Sequence, residues 1–188
     1  SARLSAAERG EHAFLQAEIA GFREAWTDAA RLYAEAARVF GAAGLAWREC
    51  LARLRTIQAE AQGAEARGAG NLDAPWSLLE ALKAPSEGAG SRWLDLEWHR
   101  AHALLLSATS AGRGSLGSQG LAAWSEVLAA ARELRFPALT LEANAGCARI
   151  LLEQGEHLGA VSRLREAFGA LQELWSRVPE AHAERFLE

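Results

Sequence analysis

The sequence contains no methionine, one lysine, one tyrosine and two cysteines. Long apolar runs and blocks of basic residues are also missing, and the formal net charge is −4. A transmembrane helix needs about 20 consecutive apolar residues, so no membrane span is expected. Nucleic-acid binding needs a basic patch, and none is present. We therefore expect neither membranes nor nucleic acids among the partners.

The two cysteines stand far apart, at Cys50 and Cys147, and no Cys-x-x-Cys motif occurs. Isolated thiols are typical of a reducing compartment rather than of a disulfide framework, and no signal-peptide pattern is present. These features predict a cytoplasmic protein. Because methionine is absent, we also expect that the chain is processed or is cut from a longer protein.

Signatures of catalysis are missing too. There is no Gly-x-Ser-x-Gly and no P-loop, and the glycines around position 114 follow no strand, as a dinucleotide-binding loop requires. His99 and His102 share one side of a helical stretch, but Glu97 diverges from His99 around the helix axis and no third ligand is evident. We expect no enzymatic activity, no cofactor and no metal.

The pattern that is present is helical almost throughout. Alanine, the best helix former, is the commonest residue, and no stretch alternates as a half-buried strand would. We predict a single domain over 1–188, made of helical hairpins at about 5–41, 45–84, 91–135 and 138–176, with a capping helix at 179–187. Residues 62–71, 85–90 and 110–118 are predicted loops, the first of which could instead be a fraying helix end.

Three of the predicted helices share one spacing, Ala-x3-(large apolar)-x2-Ala. Small residues at these offsets let a second helix approach closely, and the large residue fills the gap between them. A unit that repeats this arrangement is typical of a helical hairpin that stacks on copies of itself. The three triplets are Ala29–Tyr33–Ala36, Ala123–Val127–Ala130 and Ala160–Leu164–Ala167.

With these triplets the chain resembles the tetratricopeptide-repeat (TPR) family, whose unit is about 34 residues long. The clearest unit covers 141–174, an earlier one covers 10–43, and Trp47 lies in register at the start of a third. The first of these carries the motif positions Cys147, Ala148, Leu151, Gly155, Ala160, Leu164 and Ala167. The repeats are degenerate, because no first helix has the Leu-Gly pair and no unit ends in proline.

The resemblance implies an all-α, right-handed stack of antiparallel hairpins, a TPR-like α-solenoid. It implies a concave face, lined by the first helix of each hairpin, that holds a peptide or a partner helix. We therefore expect a protein- or peptide-binding scaffold, as one part of a larger bacterial regulator. The alternative is a sensing module that takes a small molecule or peptide signal between its helices, in a pocket lined by Trp98, His102 and Arg149.

Two groups of residues are candidates for binding a partner. In the clearest unit the groove positions of the family map to Glu142, Ala145, Arg149 and Leu152, and Asn144 lies close to that face. Arginine offers a fork of donors and asparagine both donor and acceptor, which suits a peptide carboxylate or backbone.

His99 and Arg100 form the second candidate group, within the densest polar and aromatic stretch of the sequence. For both groups the alternative is an ordinary helix surface.

The seven tryptophans mostly lie among leucines and alanines at helical spacing. This favours a packing role, as large wedges between alanine-rich helices. Trp76 and Trp93 flank predicted loops and are the ones expected to be exposed. If they are, they offer anchors for a partner or for a second copy of the chain, so a homo-oligomer is a further expectation.

Overall fold

The computed structural model describes residues 5–68, 70–88, 90–110 and 117–179. These ranges form eight α-helices and contain no strand, which confirms the predicted all-α class. None of the helices in them is long and apolar enough to cross a membrane. The predicted capping helix at 179–187 lies, apart from its first residue, outside the described residues. The helices are α1 (Ala6–Phe22), α2 (Trp26–Ala42), α3 (Ala46–Arg67), α4 (Asp73–Gly88), α5 (Arg92–Ser110), α6 (Gly117–Glu133), α7 (Pro137–Glu153) and α8 (His157–Ser176).

The chain divides into two compact units, Ser1–Gly112 with α1 to α5 and Arg113–Glu188 with α6 to α8. In the first unit α1 packs on α2 and α2 on α3, and α3 packs on both α4 and α5. In the second unit α7 packs on α6 and on α8. Most packing is therefore between helices that are neighbours in the sequence, and the α3–α5 contact is the main exception.

One type of turn joins four pairs of helices. In each turn the second of three linking residues has a positive φ: 57° at Glu24, 71° at Gly44, 54° at Arg135 and 77° at Gly155. The next amide then donates to a carbonyl in the last turn of the preceding helix, at 2.8 to 2.9 Å. This left-handed cap satisfies carbonyl groups that the helix end leaves unpaired. The same link thus joins α1–α2–α3 and α6–α7–α8.

Glycines allow close helix contacts in both units. A Cβ on Gly10 of α1 would lie 2.5 Å from the Phe40 ring of α2, and one on Gly146 of α7 would lie 2.6 Å from the Trp124 indole of α6. Both rings are buried. In both pairs, a glycine in one helix makes room for an aromatic ring of the neighbouring helix. This is a second kind of small-residue packing, in addition to the one expected from the alanine triplets.

The triplet Ala29–Tyr33–Ala36 is buried at all three positions, whereas Ala130 of the second triplet is only half-buried and the third triplet packs only in part. Tyr33 and Val127 are buried, whereas Leu164 is 47% exposed although Ala160 and Ala167 beside it are buried. In the described residues α8 packs mainly against α7. Leu164 therefore lies at the edge of that contact instead of between two helices.

The predicted loop at 62–71 is wrong over its first half. α3 continues to Arg67 and ends at Gly68, whose φ is 65°. Ala61, Gly63 and Ala64 are buried, and a Cβ on Gly63 would lie 3.0 Å from Trp26 Cβ of α2. The composition of this stretch suggested a loop. It is helical because its small-residue face packs against α2.

The predicted loop at 85–90 also begins too early. α4 continues to Gly88 with Pro85 inside it. Proline has no backbone N–H group, so the helix has one backbone hydrogen bond fewer at Pro85. Ser86 is buried, and its hydroxyl donates to the Lys83 carbonyl at 2.8 Å, which supports this last turn.

Substitution of Gly146 by alanine is expected to destabilise the protein by about 1–3 kcal/mol, because the new methyl group must displace the buried Trp124 ring. In an exposed helix interior the same change stabilises by up to about 1 kcal/mol. Gly169 of α8 is the matched control, since a Cβ there has nothing within 4 Å. Urea unfolding of both variants measures the difference, and equal effects would contradict the close contact.

Candidate functional site

Four helices of the first unit surround a cavity of about 250 Å³. α1, α2, α3 and α5 all contribute to its wall. Its apolar lining includes Phe22, Trp26 and Ala59. The polar lining consists of Glu18, Tyr33, Arg55, Gln58, Gln62 and Arg100.

Glu97 of α5 is a fully buried carboxylate next to this cavity. Its Oε1 accepts a hydrogen bond from Arg55 Nη2 at 3.1 Å, and its Oε2 accepts one from Gln58 Nε2 at 2.8 Å. Gln58 Nε2 also lies 3.1 Å from the Glu97 main-chain carbonyl. A buried charge is tolerated only when it is paired and hydrogen-bonded. These bonds therefore fix α5 against α3.

Arg100 brings a second guanidinium to the same network. Its Nη1 donates to Gln58 Oε1 at 3.0 Å and lies 3.6 Å from Glu97 Oε2. The Gln58 amide is thus held at both ends, by a carboxylate and by an arginine. The side chains of Arg55 and Arg100 are 21% and 14% exposed, so both reach the cavity while most of each is covered.

Tyr33 and Glu18 form the other polar side of the cavity. The Tyr33 hydroxyl donates to Glu18 Oε1 at 2.6 Å, and the same oxygen lies 3.9 Å from Arg55 Nε. Burial, with the added effect of the Glu18 hydrogen bond and charge, raises the pKa of Tyr33 above its ordinary value. The hydroxyl therefore stays protonated and remains a donor.

The charges around the cavity balance, since Arg55 and Arg100 oppose Glu18 and Glu97. Guanidinium, amide and hydroxyl groups in fixed positions can hydrogen-bond a carboxylate, a carbonyl or an amide. Within the described ranges no group of three or more His, Cys, Asp and Glu side chains is placed to hold a metal ion.

The two candidate residues on α5 have different surroundings. Arg100 lines the cavity, as described above. His99 is half-buried, its Nε2 lies 3.7 Å from Asp95 Oδ1, and its ring stands edge-on to Trp98 with centroids 5.3 Å apart. His99 is not among the residues that line the cavity.

The four candidates in the second unit all lie on α7. Asn144 is fully buried and donates to the Thr140 carbonyl at 3.0 Å, while its Oδ1 has no hydrogen-bond partner in the described part of the chain. Arg149 is half-buried, and burial lowers the pKa of its guanidinium. Glu142 is half-buried and Leu152 is exposed. Binding of a partner by these residues stays a prediction.

The tryptophans expected to be exposed are half-buried. Trp76 Nε1 lies 3.4 Å from Thr109 Oγ1, and Trp93 is partly covered. Trp98 donates to the Leu79 carbonyl at 2.9 Å and stacks on His102, with centroids 5.4 Å apart. Among the tryptophans of the described residues, Trp47 is the exposed one, at 40%.

Most of the cavity was not found from the sequence. Arg55, Gln58 and Gln62 lie at helical spacing on one face of α3, and this stripe was the available signal. Glu97 and Arg100 belong to the stretch that the sequence singled out, but their partners lie on α3, far away in the chain. No local sequence pattern shows that these residues of α3 and α5 face each other in the fold.

Comparisons with protein-family models, with curated proteins and with solved structures found no match. The case for a function therefore depends on the geometry of the chain.

Substitution of Glu97 by alanine is expected to lower the free energy of unfolding by about 3–5 kcal/mol, because it leaves two partly buried arginines without their shared carboxylate. Asp95→Ala removes an exposed carboxylate that lies 3.7 Å from the half-buried His99, and it should cost less than about 1 kcal/mol. Urea unfolding monitored by circular dichroism compares the two variants. A loss for Glu97→Ala as small as that for Asp95→Ala would contradict the structural role given to Glu97.

Proposed function

We propose that this chain is a protein- or peptide-binding scaffold with TPR-like helical hairpins, and that its first unit holds part of the partner in the cavity beside Glu97. The observation that carries the proposal is the pair Arg55 and Arg100, both held by one fully buried carboxylate and both lining the cavity. Donors that are already fixed lose little conformational entropy when a ligand binds, which favours affinity.

The position of the cavity supports the same conclusion. α1, α3 and α5, the predicted first helices of three hairpins, supply Glu18, Arg55, Gln58, Gln62 and Arg100. The TPR resemblance implies that first helices line the binding face. The recurring turn and the packing of consecutive helices within each unit agree with hairpin repeats. The right-handed stacking, the cytoplasmic location, the larger bacterial regulator and the homo-oligomer stay predictions.

The size of the cavity favours a peptide over a larger small molecule. Pockets for small molecules usually measure about 300–1,000 Å³, and this cavity measures about 250 Å³. That volume suits one side chain or one end of a chain, with the remainder of the partner lying on the helices around it. Phe22 at its edge is almost fully exposed and offers an apolar contact.

Selection of peptides from a random display library against the full chain tests this proposal. Selected peptides should bind Arg100→Gln about tenfold more weakly, because a hydrogen bond to a charged group contributes about 1.5–3 kcal/mol. Tyr33→Phe, which keeps the ring and removes the hydroxyl, should also weaken binding. Arg38→Gln on the exposed face of α2 is the control and should bind as the wild type does.

Unfolding midpoints show whether each variant is folded before its binding is compared. Peptides that bind both cavity variants as tightly as the wild type would place the binding face elsewhere. A library that yields no binder to the wild type would count against the scaffold itself.

A further inference from the structure

α8 carries a row of large apolar side chains that remain exposed. Their exposed fractions run from 43% to 90%. The row consists of Leu158, Val161, Leu164 and Phe168. These residues recur every three or four positions, so they share one side of the helix. An amphipathic helix normally buries such a side against another element of structure.

α6 has the same row of positions. The alanine triplets align the two helices, because Ala123 of α6 corresponds to Ala160 of α8. In this alignment the α6 residues that correspond to the exposed row are Leu121, Trp124, Val127 and Ala131. The last three are buried, and Leu121 is half-buried.

α7 is the helix that contacts this side of α6. Leu121 packs against the buried cluster that contains Ala148 and Leu151 of α7. A Cβ on Gly146 of α7 would lie 2.6 Å from the Trp124 indole. The contact between α6 and α7 therefore shows how a helix can cover the row that α8 leaves exposed.

α1 exposes apolar side chains at the positions where α7 contacts α6. The left-handed turn that follows both helices aligns α1 with α7. In this alignment Leu15 and Ile19 of α1 take the places of Gly146 and Ile150 of α7, both of which face α6. Leu15 and Ile19 are each more than half exposed. α1 therefore presents a face of the kind that α7 uses to cover α6.

The sizes of the side chains fit a contact between α1 and α8. In the contact between α6 and α7 the large Trp124 meets Gly146, which has no side chain. α8 has the smaller Val161 in place of Trp124, and α1 has the larger Leu15 in place of Gly146. One side of the contact loses volume and the other gains it, and packing tolerates volume-conserving exchanges best.

One position of the contact differs in kind. Ile150 of α7 lies close to Gly120 of α6, and α8 has His157 in place of this glycine. His157 is the first residue of α8 and its side chain is exposed. The side chain can therefore turn towards solvent and leave room for Ile19.

We propose that α1 of a second copy of this chain packs on α8 as α7 packs on α6, so that Leu15 of one copy lies against Val161 of the other. The contact joins two different faces, both of which every copy carries. Copies therefore add one after another, into an open chain or a closed ring. The two faces contain none of the residues that line the cavity beside Glu97, so this self-association is separate from the binding proposed above.

Sedimentation velocity of the full chain, at concentrations from about 1 μM to 1 mM, tests the proposal. The average mass of the wild type should rise with concentration above the 20.2 kDa of one copy. Ile19→Glu and Phe168→Glu should each weaken self-association at least about tenfold, because the contact would bury an unpaired carboxylate. Gly169→Glu is the matched control and should associate as the wild type does, since it adds the same charge to α8 outside the exposed row, where a Cβ has nothing within 4 Å.

An equimolar mixture of Ile19→Glu and Phe168→Glu shows which faces meet. It should form a one-to-one dimer and nothing larger, because the first variant keeps the α8 row and the second keeps the α1 face. Both residues are exposed, so each variant should unfold at the same urea concentration as the wild type. The proposal would be overturned by a wild type that stays monomeric up to 1 mM, by a mixture that does not dimerise, or by undiminished self-association of Ile19→Glu, which would indicate a symmetric contact between two α8 rows.

Discussion

The first unit depends on one carboxylate that water does not reach. Glu97 has no solvent-exposed surface, and its charge is compatible with burial only while Arg55 and Gln58 remain within hydrogen-bonding distance. Any sliding of α5 along α3 would break these bonds and leave a buried, unpaired carboxylate, which would destabilise the fold. The α3–α5 packing is therefore specified by polar geometry as well as by buried leucines, which on their own would tolerate several registers.

The same constraint links the fold to the candidate site. Arg55 and Arg100 each direct part of the guanidinium towards Glu97 or Gln58 and part towards the cavity. A surface arginine samples many rotamers, whereas these two are held by bonds inside the fold. The cavity therefore presents hydrogen-bond donors in fixed positions before any partner binds. The same hydrogen bonds to Glu97 and Gln58 stabilise the unit and fix the rotamers of these donors.

Sequence patterns predicted the helices well and their tertiary partners poorly. Helical periodicity and the spacing of the alanine triplets are local signals, and they located eight helices and the close packing around Tyr33 and Val127. The end of α3 was misjudged because its small and charged residues resemble a loop until Trp26 packs against Gly63. Arg100 was identified, but Arg55 and Gln58 were not, since the bond between α3 and α5 joins residues about 40 positions apart.

α3 shows why polarity along a helix is an ambiguous signal in a chain of this kind. It carries charged and amide residues on several sides, as an exposed helix would, yet it packs on α2, α4 and α5. On one side Arg55 and Gln58 are used by Glu97, whereas on another Glu60 and Arg67 have no partner in the described part of the chain. The paired residues account for the fold. Arg67 is exposed in the last turn of α3, where its positive charge favours the helix end and water solvates it, so it needs no partner within the fold.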